Sequence, residues 1–110
     1  MAYKVLGRKA AAATTEEELY TVPSSSAAVV SSIVIANRSV SARTYRLAVK
    51  PTSGTTIADE HYIAYDVTIA ANDSVALTLG ITLAAGNSIR SYASAASSLT
   101  FTAFGSELSA

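Results

Sequence analysis

His61 is the single histidine of a 110-residue chain, and with Asp59 and Glu60 beside it, it is the first place to look for a metal site or an acid–base pair. The spacing argues against both. Neighbours along a strand point to opposite faces, so Glu60 and His61 converge on one ion only through a bulge, and no second histidine completes a common transition-metal set. A solvent-exposed junction between turn and strand is expected there instead. Serine is plentiful, yet no Gly-x-Ser-x-Gly elbow presents one to the histidine, so a nucleophilic triad is not expected either. The five glycines, Gly7, Gly54, Gly80, Gly86 and Gly105, are dispersed and form no phosphate cradle. The chain is therefore expected to hold no catalytic residue, no metal and no cofactor.

Arg38, Arg43, Arg46 and Lys50 form a basic stretch with Tyr45 inside it, the pattern of a nucleic-acid face. Overall charge works against that reading. Eight Lys and Arg balance eight Asp and Glu, leaving no net field to draw in nucleic acid or an anionic membrane, and neither is expected as a partner. Arg46 and Lys50 share one strand face with Thr44 and Ala48, which reads as a solvated or subunit-facing surface. The six tyrosines carry more weight. Tyr62 and Tyr65 fall on opposite faces of one strand, and Tyr92 opposes Ile89, so some rings must turn away from the core. An exposed tyrosine offers large contact area, a polar tip and little rotamer entropy. Arg46, Tyr62 and Tyr92 are accordingly candidate interface residues, joined by Tyr3, Val5 and Leu6 near the start of the chain. Two Asn-x-Ser sequons, at Asn37 and Asn72, would matter only in a eukaryotic secretory setting.

The elements that must position these residues follow from two-residue alternation. Ile63, Tyr65, Val67 and Ile69 alternate with Ala64, Asp66, Thr68 and Ala70. Val75, Leu77, Leu79, Ile81 and Leu83 alternate with Ser74, Ala76, Thr78, Gly80 and Thr82. Both rows are expected to face inward, with Leu79 fully buried. Ala71-Asn72-Asp73 between them is a turn by residue type, making the pair a hairpin or a tight corner between sheets. Tyr45, Leu47 and Val49 give a third alternating strand, which stops at Pro51. The β-branched run within Ala27–Ala36 suits a central strand buried on both faces. Ser88–Ala93 and Leu99–Phe104 complete the set, with a turn at Ala84-Ala85-Gly86-Asn87.

Half the residues are apolar, but many are alanine, so the core is thin and subunit contacts are expected to supplement it. The chain has no cysteine, hence no disulfide framework. Met1–Gly7 does not read as a signal peptide, and no run approaches the roughly 18 apolar residues of a membrane span. The fold class predicted is all-β, a single antiparallel β-sandwich of jelly-roll or Ig-like type, with residues 1–18 as an N-terminal arm and 19–110 as the sandwich. The arm offers little large apolar surface. Tyr3, Val5 and Leu6 are its anchors, fitting a short strand that adds to a sheet edge, either its own or a neighbour's.

The run Leu19-Tyr20-Thr21-Val22-Pro23, the strand ending Ala36-Asn37-Arg38-Ser39, the segment His61-Tyr62-Ile63-Ala64-Tyr65-Asp66, the closing Phe104-Gly105-Ser106-Glu107 and the opening Tyr3-Lys4-Val5-Leu6-Gly7 together resemble a family of small structural proteins of tailed bacteriophages, cyanophages among them. The likeness spans most of the chain, and its motifs are structural. It implies a non-enzymatic virion protein made in the bacterial host cytoplasm, a capsid decoration subunit or a neck or tail appendage. Its partners would be copies of itself, a trimer or higher ring, and capsid, neck or tail subunits. The alternative is a fibre module that binds carbohydrate or receptor, with exposed tyrosines stacking on sugar faces.

Overall fold

In the computed structural model, the residues described are 3–10, 16–51, 57–95 and 98–109. The two-residue periodicity becomes eight strands: β1 (Lys4–Ala10), β2 (Glu17–Thr21), β3 (Ser26–Asn37), β4 (Arg43–Lys50), β5 (Tyr62–Ile69), β6 (Ser74–Leu83), β7 (Ser88–Ala93) and β8 (Leu99–Ser109). They form two four-stranded sheets of order β1-β8-β3-β6 and β2-β7-β4-β5, with all pairings antiparallel. Strands from the two ends of the chain pair inward in step: β1 with β8, β2 with β7, β3 with β6, β4 with β5. A long hairpin folded between β4 and β5 and rolled into two layers gives this order, which is the jelly roll. Of the two sandwich types that the strand pattern allowed, the topology is therefore this one and not the Ig-like one.

The strand expected to be central is so. β3 lies between β6 and β8, and Ala28, Val30, Ile33 and Ile35 are buried on its inner face. They meet Tyr45 and Leu47 of β4, Ile89 and Ala93 of β7, and Leu99, Phe101 and Ala103 of β8 in one hydrophobic core. Tyr45 and Phe101 join the layers edge to face, with ring centroids 6.4 Å apart, an arrangement that adds to the area they bury.

The turn at Ala71-Asn72-Asp73 is the corner between sheets, since β5 and β6 belong to different layers. Asn72 there takes a positive φ of 54°, which asparagine tolerates better than most residues. The inward row expected on β5 is corrected. Ile69 is buried, but Ile63, Tyr65 and Val67 are 48%, 55% and 39% exposed. Ile63 and Tyr65 are turned outward by a bulge: Tyr45 pairs with Val67 and Leu47 with Ala64, so two steps on β4 match three on β5. Val67, paired with buried Tyr45, keeps the inward side and is exposed because β5 is an edge strand. The extra residue sits at Tyr65-Asp66, where Asp66 has φ 52°, and the alternation read from the sequence breaks there. On β6, Leu83 is buried while Val75, Leu77, Leu79 and Ile81 face the core only half-covered. Full burial of Leu79 is thus also corrected, because β6 is an edge strand.

Of the segment expected to be an arm, Lys4–Ala10 is the edge strand of the chain's own sheet, paired with β8 from Lys4↔Gly105 to Ala10↔Thr100. β2 already begins at Glu17, and residues 11–15 of that segment lie outside the described residues. Leu6 packs against the core. Gly7 allows the approach of β1 to the second sheet, for a Cβ there would overlap the carbonyl oxygen of Leu19. Across the seam, Lys4 Nζ lies 2.7 Å from Glu107 Oε1, and the Tyr20 hydroxyl donates to Glu107 Oε2 at 2.5 Å.

Candidate interaction site

The outer face of the second sheet carries the most organised side chains of the described surface. Register places Arg46 of β4 opposite Tyr92 of β7. The β5 bulge brings Tyr65 and Asp66 to Arg46 from the other side. The Arg46 guanidinium carbon lies 4.1 Å from the Tyr65 ring centroid and 4.4 Å from that of Tyr92. Arg46 Nε donates to Asp66 Oδ1 at 2.6 Å and a terminal nitrogen to Oδ2 at 3.3 Å. The fork is thus held by a carboxylate while both flanks rest on aromatic faces, a use that the planar guanidinium allows and an ammonium does not. Tyr62 completes the row, its ring edge-on to Tyr65 at 4.9 Å.

The electrostatics follow from this packing. The hydrogen bond to Asp66 raises the Arg46 pKa above its usual range, with the Coulombic attraction of the carboxylate adding to it. The Asp66 carboxyl is held below the usual carboxylate range, first by that same hydrogen bond. Both groups are therefore charged throughout the physiological range. The result is a fixed tyrosine–arginine ridge across β7, β4 and β5, with no net charge of its own.

Three of the six residues expected at an interface, Arg46, Tyr62 and Tyr92, come together here. Tyr3, Val5 and Leu6 do not join them. They lie at the β1 edge of the other sheet, where Tyr3 is 80% exposed, Val5 is half-buried opposite Phe104 and Leu6 serves the core. Tyr65 and Asp66 belong to the ridge and were not found by alternation, which assigned Tyr65 inward. Alternation had already placed Asp66 on the outer face with Thr68, so no residue in the pattern marked the insertion.

His61 makes a local bond, with Nδ1 accepting the Ala58 amide at 2.9 Å at the 3-10 turn Asp59–His61. Among the described residues no three His, Cys, Asp or Glu side chains converge as a metal set. Asn37, the first sequon asparagine, is buried at 3% exposure. Its Nδ2 donates to the carbonyls of Ser41, Ile69 and Ala70, and its Oδ1 accepts from the Ser39 amide and hydroxyl. It is a structural clasp between the end of β3 and the β5 corner, with no amide free for modification.

Comparison with protein-family models, curated proteins and solved structures returns no match.

Proposed function

We propose that this protein is a non-enzymatic structural component of a tailed-phage particle, a jelly-roll subunit that works by docking to other virion proteins and to copies of itself. A capsid decoration subunit is the leading form, and a neck or tail appendage the next. The observation that carries the reading is the Tyr65–Arg46–Tyr92 ridge. Protein interfaces concentrate their binding energy in tyrosine and arginine groups whose rotamers are fixed beforehand, and here stacking and the Asp66 fork fix them. The jelly roll supports virus shell subunits and lectins alike, so fold alone does not choose between them. Arg46 fills one face of Tyr65 and one of Tyr92, leaving a single face of each ring for stacking, and the fixed charged fork between them suits a protein partner.

The test is attachment to particles. Purified virions from a host carrying the gene, analysed by quantitative mass spectrometry, should contain the protein at a fixed copy number per particle. Recombinant protein added to particles lacking it should bind, and Tyr92→Ala should weaken that binding by about tenfold while the fold is kept. Absence of the protein from washed particles would overturn the proposal.

A further inference from the structure

A β-sandwich with open sheets has four edges, here β1, β6, β2 and β5. Unguarded edges pair with other chains, and monomeric proteins block them with charge, proline or bulges. Three of the four are blocked in this molecule. β1 carries Lys4, Arg8 and Lys9. β2 carries Glu17 and Glu18 and is followed by Pro23. β5 is bent by two register shifts against β4 and carries Asp66. The fourth, β6, reads Ser-Val-Ala-Leu-Thr-Leu-Gly-Ile-Thr-Leu, with neither charge nor proline in ten residues. Its only irregularity lies between Thr78 and Ile81, where the pairing to β3 shifts. From Ser74 to Thr78 the strand is regular, paired residue by residue with Ala36 through Ser32.

Among the described strands β6 pairs with β3 alone. Its regular half is also symmetric in polarity: Ser74, Val75, Ala76, Leu77, Thr78 runs polar, apolar, small, apolar, polar. Turned end for end, it presents the same pattern. An antiparallel copy centred on Ala76 would set Val75 against Leu77 of that copy on the inner face and Ser74 against Thr78 on the outer. The half-covered Val75 and Leu77 would then each gain an apolar cross-strand neighbour. A strand with like charges could not do this, since its own copy would repel it. The pattern therefore fits a second copy of this chain, which every other copy supplies in the same register.

We propose that β6 pairs antiparallel with β6 of a second copy across a two-fold axis at Ala76, joining two four-stranded sheets into one continuous eight-stranded sheet. The contact is isologous, a two-fold pair in place of the trimer expected from the sequence. It rests on the assembly reading and gives it a self-association surface, on a different sheet from the tyrosine–arginine ridge.

The chain lacks cysteine, so a single introduced thiol reports one contact. Residues facing each other on the axis of an antiparallel pair have Cα atoms roughly 4.5–5.5 Å apart, within disulfide reach. Under mild oxidation Ala76→Cys should convert to a covalent dimer. Thr82→Cys, on the same strand and the same exposed face but far from the axis, should stay reduced. Sedimentation of the wild-type protein should show a monomer–dimer equilibrium, and Ala76→Lys should raise the dissociation constant at least tenfold with unchanged circular dichroism. A wild-type monomer up to about 1 mM, a concentration at which even weak specific pairs associate, would overturn the proposal. So would equal cross-linking of the two cysteine variants, or a dimer indifferent to Ala76→Lys. Tyr92→Ala should leave the dimer intact. If it weakens particle attachment while Ala76→Cys fails to cross-link, the docking reading survives and the β6 pairing does not.

Discussion

Asn37 and Ser91 are both buried and polar, and they illustrate opposite consequences of burial. Asn37 satisfies its amide with five hydrogen bonds, whereas the hydroxyl of Ser91, fully buried on β7, has no partner among the described residues. Removing a satisfied hub strands its partners, while removing an unpaired hydroxyl strands nothing. Asn37→Ala is therefore expected to lower unfolding free energy by about 1–3 kcal/mol, and Ser91→Ala to leave it unchanged or raise it by up to about 1 kcal/mol. Denaturant melts of the two variants check this, and a larger loss in Ser91→Ala than in Asn37→Ala would contradict it. The sequence offered Asn37 only as part of a polar connection and a sequon, because two of its bonds run to the carbonyls of Ile69 and Ala70, distant along the chain. The outward placing of Arg46, Tyr62 and Tyr92 was legible from the strand faces they take beside apolar neighbours.

At the level of elements, alternation located the strands well and misjudged their covering. β3 was readable as central from its β-branched run, but the burial expected on both faces holds for the inner face alone, Val29 and Val34 outside being half-covered. The outward turn of Tyr65 was not readable, because one inserted residue reverses every facing after it, and nothing in a period-two pattern announces the insertion. The half-exposure of Leu79 was hidden for another reason: periodicity tells which way a side chain points, and only the strand order tells whether anything lies beyond it. At the other end of the first sheet, β1 is tied down by Glu107. The carboxyl is held below its usual range, first by the hydrogen bond from Lys4 and next by that from Tyr20. Tyr20 is itself pushed well above the ordinary phenol range, chiefly by burial and then by Glu107. A depressed carboxyl stabilises the fold above its unfolded pKa of about 4.3 and loses that contribution as pH falls through the lower folded value. Stability should thus fall as pH drops below about 5, and Glu107→Gln should flatten that part of the slope. Melts across this range that show the same acid slope for both proteins would contradict the assignment.

Taken whole, the molecule distributes its surfaces unevenly. One sheet has charged or uncharged edges but no organised polar cluster among its described outer side chains, and the other presents a preset ridge over β7, β4 and β5. A small core of aliphatic and aromatic side chains and one uncharged edge suit a subunit that completes its stability by assembly. The central claim is that the ridge docks on another virion protein, and the most direct measurement places a photo-reactive amino acid at Tyr65, whose side chain is more than half exposed. Irradiation of assembled particles, followed by mass spectrometry of the cross-linked peptides, should join position 65 to one defined segment of a capsid, neck or tail protein, with no such product from the same probe at Thr82. A particle-bound protein whose position 65 yields only unlinked product, or links no more selectively than position 82, would contradict the account.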